Sequence, residues 1–172
     1  SLGGQVNQDP LVDFKLTAHF GFFEMTASGR HPDLVAANRA WALDEAYPGR
    51  LQALVSIATM LESIRVHFGK PGSIHSGARF PTLNRAVGGQ PSSQHMKCEA
   101  ADFHVQGVDL KIAWKWIWAE SGLAYGQCLL EGTHGHEPSW IHLSLGEPWR
   151  PRSRCREYLR IDASTNKRIT SS

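Results

Sequence analysis

The stretch SSQHMKCEAADFHV, residues 92–105, gathers two histidines, an aspartate, two serines and a cysteine. His95 closes a polar loop. Asp102, seven positions later, stands in an apolar run between Ala101 and Phe103. A carboxylate in such a run must be exposed, hydrogen-bonded or bound to a cation, because burying it unpaired costs several kcal/mol. His142, in SWIHLSL, lies in a second apolar run. Strand alternation there puts Ile141 and Leu143 on one side and Trp140, His142 and Ser144 on the other. Two imidazoles and one carboxylate can hold zinc and leave its fourth position open. Zinc in such a site lowers the pKa of its water to about 7 and polarises a carbonyl. Spacing alone does not single out this triple: the chain has nine histidines, and a strand histidine more often simply packs.

The elements that must position these residues can be read from periodicity. Residues 1–15 read as a flexible lead, and Phe20, Phe22, Phe23 and Met25 as an apolar cluster packed on the body. A helix is expected over 33–46 and a stronger one over 49–68. The second carries Leu51, Leu54, Val55, Ala58, Leu61, Arg65 and Phe68 as its inward face. Gly69, Pro71 and Gly72 stop it. Strands are expected at 73–78, 100–105, 125–131 and 139–145, with one helical turn at 81–86 that Gly88 and Gly89 break. Asp109 is an N-cap for a helix over 110–120, with Leu110, Ala113, Trp114 and Ile117 inward. Trp114, Trp116 and Trp118 spread around that helix, so one or two of them should be exposed. A last edge strand is expected at 158–161. Helices first, then strands with one inserted helix, predict an α+β fold: a small, mostly antiparallel sheet with helices packed on it, in a single domain.

A chain of 172 residues suits one domain and buries enough surface to need no staples. Net charge is +2, but residues 150–172 carry seven Lys and Arg against Glu157 and Asp162, leaving the remainder acidic. Such a basic tail is usually a solvated end, and no interleaved aromatic platform supports nucleic-acid binding. Cys98, Cys128 and Cys155 make no even framework and no CxxC pair. No apolar run approaches the ~18 residues that a membrane span needs. SLGGQVNQDP lacks the charged and apolar parts of a secretion signal.

The stretch SGARFPTLNRAVGGQPSSQHMKCEAADF resembles the signature of the M15 family of zinc peptidases. These cut peptidoglycan peptides as D-alanyl-D-alanine carboxypeptidases or related endopeptidases, phage endolysins among them. The family pattern Ser-x-His-x-x-Gly-x-Ala-x-Asp, followed later by Trp-x-His, falls on Ser93, His95, Ala100, Asp102, Trp140 and His142. The upstream Ser-Gly-x-Arg, Leu-Asn and Gly-Gly fall on Ser76, Gly77, Arg79, Leu83, Asn84, Gly88 and Gly89. The likeness covers roughly residues 16–146. It implies zinc on His95, Asp102 and His142, and a peptidase domain over 16–149 between the lead and the basic tail at 150–172.

The chain departs from the pattern at Cys98, where the family has glycine. Glycine there points to a backbone with φ > 0 or tight packing. Cys98 is expected as a small buried thiol, the alternative being a fourth ligand that would close the site. Many members carry an acid three residues before the last histidine, where this chain has Ser139. Others place the general base near the end of the preceding strand. The candidates are Glu131, His134, His136 and Glu137, with Glu131 first because a hairpin would set it opposite Ser139, and Glu137 second. Arg79 is expected to hold a substrate carboxylate or the developing oxyanion through its guanidinium fork. Ser93 binds ligand or caps the loop. His104 shares the face of Asp102, and His19, His31, His67 and His75 have no arguable partner.

The expected activity is hydrolysis of peptide bonds in the peptidoglycan stem by a monomer, in the bacterial envelope or as a phage lysis or virion protein. The competing reading is a catalytically inactive, zinc-stabilised wall-binding or phage-tail module, prompted by Cys98 and by Ser139. A Cys98–metal bond, or no acid near the metal, would favour it.

Overall fold

The computed structural model describes residues 10–133, 136–146, 157–162 and 167–169, the last two segments by their backbone alone. Five helices, α1 (Phe22–Met25), α2 (Val35–Ala42), α3 (Gly49–Phe68), α4 (Pro81–Ala86) and α5 (Leu110–Ala119), accompany six strands. The strands are β1 (Gly72–Ser76), β2 (Ala100–Val105), β3 (Tyr125–Gly132), β4 (Trp140–Leu145), β5 (Glu157–Asp162) and β6 (Lys167–Ile169). They form one sheet in the order β1-β2-β4-β3-β5-β6. Every pairing is antiparallel except β3 with β5. The α+β fold with a mostly antiparallel sheet is as the patterning predicts.

One sheet face is dry. Ala101, Phe103, Val105, Cys128, Leu130, Ile141 and Leu143 are buried against Leu54, Ile57, Ala58, Leu61 and Ile64 of α3 and Ala113 and Ile117 of α5. Each large aliphatic or aromatic side chain buried there contributes about 1.5–3 kcal/mol. Asp109 caps α5 as expected, its Oδ1 accepting from the amides of Lys111 and Ile112 at 3.0 and 3.1 Å. Gly69 ends α3 in the left-handed region at φ 60°, where a side chain would cost energy.

Several expectations need correction. The helix expected over 33–46 is a 3-10 turn at Pro32–Leu34 followed by α2, which stops at Ala42. Asp44 Oδ1 takes the amide of Ala46 at 2.9 Å and makes a turn instead, and Pro48 disfavours helix at the residue before it. The buried face of α3 is Leu54, Ile57, Ala58, Met60, Leu61 and Ile64, while Val55 is exposed. That helix is apolar on several sides, so spacing alone fits more than one phase. None of the three tryptophans of α5 is exposed. Trp114 Nε1 donates to the Cys128 carbonyl at 3.0 Å, Trp116 stacks on His67 at 3.8 Å, and Trp118 packs edge-on to Trp114. The end of the expected lead is pinned to the body: Phe14 stacks on Phe22 at 4.8 Å, and Asp13 accepts from the amide of Phe23. The segment expected as one edge strand supplies two, β5 beside β3 and β6 at the sheet's edge.

Candidate metal centre

The other sheet face carries the polar side chains. Asp102 pairs with His142 across β2 and β4, Leu129 with His142 and Glu131 with Trp140 across β3 and β4. Because side chains of paired residues share a face, Asp102, His142, Trp140 and Glu131 stand together. Their neighbours in sequence, Ala101, Phe103, Ile141 and Leu130, point into the core.

His95 comes from the loop before β2. A 3-10 turn at Gln94–Lys97 carries it, and Ser93 caps that turn with Oγ accepting from the His95 amide at 3.3 Å. Cys98 ends the turn at φ 58°, the only positive φ among the described non-glycine residues. The backbone thus has the conformation that the family's glycine implies. The Cys98 side chain is buried among apolar residues, and burial pushes its thiol up to about 12. It is a structural thiol.

His95, Asp102 and His142 bring ligand atoms within 4.8 Å of one another, and among the described residues theirs is the one such set of three. His142 Nδ1 lies 2.8 Å and His95 Nε2 3.2 Å from Asp102 Oδ1. On its far side His95 Nδ1 lies 2.7 Å from the Gly77 carbonyl oxygen. A carbonyl only accepts, so Nδ1 carries the proton and Nε2 of the neutral ring presents a lone pair. The position itself demands glycine, because a Cβ on Gly77 would lie 2.1 Å from the Met25 carbonyl oxygen.

Burial, with Arg79 near, holds His95 below the ordinary imidazole range against the pull of Asp102. Burial alone would raise Asp102, but His95 and His142 outweigh it and keep the carboxyl well below the usual carboxylate range. Burial likewise opposes protonation of His142, while the hydrogen bond and charge of Asp102, then Glu131, raise it. A neutral His95 therefore turns a lone pair toward an ionised carboxylate. Two acceptors 3.2 Å apart call for a cation between them, and this donor set fits zinc.

Arg79 lies beside the triad. Its amide donates to the His95 carbonyl at 3.0 Å. Asn38 of α2 brackets it, Nδ2 donating to the carbonyls of Thr26 and Ala78 and Oδ1 accepting from the amide of Phe80. Nothing in the sequence marks Asn38 for this role: it is a polar residue in a short helix, and its partners lie in distant segments. The Arg79 guanidinium reaches Ser93 Oγ at 3.5 Å through Nη2, while its buried Nε has no hydrogen-bond partner. Burial lowers its pKa, and the charges of Asp102 and Glu131 oppose that shift.

Glu131 is half-buried, and Trp140 Nε1 donates to its Oε2 at 2.8 Å. Burial raises the Glu131 pKa, and the charges of His142, Asp102 and Arg79 all act on it. Its register partner is Trp140 rather than Ser139; the Ser139 amide donates to the Glu131 carbonyl at 2.8 Å. Glu137, by contrast, is 80% exposed and pairs with Lys111 Nζ at 3.4 Å, on the surface. The structure does not bring it to the triad. His136 is exposed, and His134 lies outside the described residues.

His75, expected without a partner, has one. Its Nε2 lies 2.6 Å from His104 Nδ1, and its ring lies 6.4 Å from that of Trp140. The signal was long-range: β1 pairs with β2, and the register shifts between Ile74 and Ser76.

The fold and this site define an α+β protein with three side chains placed to hold a metal ion. The chain belongs to the peptidase M15 family: the family model described as Peptidase M15 matches residues 33–144. That span runs from α2 to β4 and includes the triad, Arg79, Ser93 and Glu131. A comparison with curated proteins found no match. No described helix is long and apolar enough to cross a membrane.

Proposed function

We infer that this peptidase is zinc-dependent and hydrolyses peptide bonds of the peptidoglycan stem, with the catalytic unit over residues 16–149. The observation that carries the reading is the buried set His95, Asp102 and His142, with a neutral imidazole lone pair turned on a carboxylate inside the M15-matched span. These three residues would hold the zinc. When bound, zinc supplies Lewis acidity for the hydrolytic water and the scissile carbonyl. Glu131 accepts the proton of the attacking water and returns it to the leaving amine. Its raised pKa suits both halves of that transfer. Trp140 holds one Glu131 oxygen and leaves the other for the water. Arg79 turns its unpartnered Nε–H toward a substrate carboxylate or the developing oxyanion, with Ser93 beside it.

The inactive-module reading would be favoured by a thiol at the metal or by the lack of an acid near it. Cys98 is not in the ligand set, and Glu131 stands where its charge is felt by His142. The test is incubation of the purified chain with peptidoglycan, with and without a chelator, and mass analysis of released fragments. Chelator-sensitive release of stem peptides is expected, and the masses name the bond. Intact walls of every type, with zinc bound, would contradict the reading.

A further inference from the structure

We propose that Asn38, on α2, is a positioning residue for Arg79: one buried amide fixes the backbone on both sides of the arginine and so sets where its guanidinium meets the substrate. The proposal rests on the peptidase reading above. Arg79 stands in the short connection between β1 and α4, with no helix or strand of its own to hold it. Asn38 is fully buried. Its Nδ2 donates to the Ala78 carbonyl at 2.8 Å and to the Thr26 carbonyl at 2.9 Å, and its Oδ1 accepts from the Phe80 amide at 2.7 Å. The Arg79 amide donates to the His95 carbonyl at 3.0 Å. The peptide plane before Arg79 is therefore held at both ends, by Asn38 at the Ala78 oxygen and by His95 at the Arg79 nitrogen. The plane after it is held by Asn38 at the Phe80 nitrogen. Peptide planes are rigid, and only φ and ψ turn between them. Pinning both planes fixes the direction in which the Arg79 side chain leaves the backbone.

The far end of the side chain needs that help. Among the described residues the guanidinium has one hydrogen bond, from Nη2 to Ser93 Oγ at 3.5 Å, and its buried Nε has none. An arginine side chain has many rotamers, and one long contact does not select among them. With the backbone end fixed, fewer rotamers remain, and the guanidinium stays beside Ser93 and the triad. The residue type follows from the pattern it serves. Two carbonyls and one amide ask for two donors and an acceptor in one short neutral group, which is the carboxamide of asparagine. Aspartate has no donor, and serine or histidine has too few. The His95 side of the connection is held without Asn38. The Ala78 amide donates to the Met25 carbonyl at 2.8 Å, and the Gly77 carbonyl just before it is the partner of His95 Nδ1. Loss of Asn38 should therefore displace Arg79 and leave the metal ligands in place.

The test is a double-mutant cycle on the zinc-loaded full chain: the parent, Asn38→Ala, Arg79→Ala and the double variant. The substrate is an N-acetylated stem pentapeptide or, if that is not cut, purified peptidoglycan. Arg79→Ala should lower kcat/KM about 10²–10³-fold. Asn38→Ala should lower it about tenfold to hundredfold, the effect of a misplaced group. In the Arg79→Ala background the same change should cost less than about twofold, because the residue it acts through is gone. All four chains should keep their zinc. A residue that only stabilises the fold would slow cleavage alike in both backgrounds. A second measurement needs no turnover. The buried Arg79 Nε–H should exchange slowly with solvent in the parent and lose that protection in Asn38→Ala, while the amides of α3 keep theirs. If the Ala variant does not fold, Asn38→Gln, which keeps the amide but displaces it by one methylene, takes its place in both measurements. Equal losses in both backgrounds, parent-like kcat/KM without Asn38, loss of zinc in the Asn38 variant, or unchanged Nε–H exchange would overturn the positioning role alone. A parent chain that cuts no stem peptide overturns the peptidase reading, and the exchange measurement still decides whether Asn38 holds Arg79.

Discussion

The two faces of β2 and β4 are built from alternate residues of the same strands, yet they do opposite things. Ala101, Phe103, Ile141 and Leu143 enter a dry core under α3 and α5. Asp102, His142 and Trp140, one step away in sequence, stand with His95 and Glu131 in a polar cluster. Beside Asp102 the polar face carries the His95 Nε2 lone pair and the buried Arg79 Nε–H, groups that a ligand could satisfy. Stability and chemistry are thus separated by one residue of strand alternation, and a one-residue slip of register would exchange them.

That separation can be broken from either side. On the polar face, His142→Ala or His95→Ala should remove bound zinc and reduce peptide cleavage to background while the far-ultraviolet circular dichroism stays native. Metal analysis and a cleavage assay check this, and near-stoichiometric zinc in either variant would remove that residue from the ligand set. Glu131→Gln should keep zinc and lower kcat about 10²–10⁴-fold; turnover equal to the parent's would move the base elsewhere. On the core face, Phe103→Ala should cost about 3–5 kcal/mol of stability in denaturant titration, with the folded fraction still binding zinc. At the loop between the faces, Cys98→Gly gains by relieving the left-handed φ and loses the burial of the thiol. The two terms nearly cancel, so the change should stay within about 1 kcal/mol. Smallest of all, Glu137→Gln should leave turnover within about twofold, because an exposed pair with Lys111 contributes little.

Local pattern offered His95, Asp102 and His142 as candidates among nine histidines, and only the resemblance to the M15 motif singled them out as a set. Strand bounds and the Asp109 cap were legible directly, since they depend on neighbours in the chain. What was not legible depends on contacts between distant segments. The Gly77 carbonyl behind His95, Asn38 bracketing Arg79 and the His75–His104 pair all join residues many positions apart. The phase of α3 was misread because Leu51, Val55 and Val66 offer apolar side chains outside the buried face, and the sheet rather than the helix decides which ones are covered. The hairpin set Glu131 opposite Trp140 and not Ser139, a shift of one residue that loop length alone does not reveal.

The most direct test of the central claim is the zinc K-edge X-ray absorption spectrum of the purified chain, with the metal counted on the same sample. The account predicts about one zinc per chain in a shell of nitrogen and oxygen only, at about 2.0–2.2 Å, with the imidazole signature of two histidines. A zinc–sulfur distance near 2.3 Å would make Cys98 a ligand and close the site, and a chain that retains no zinc would contradict the account outright.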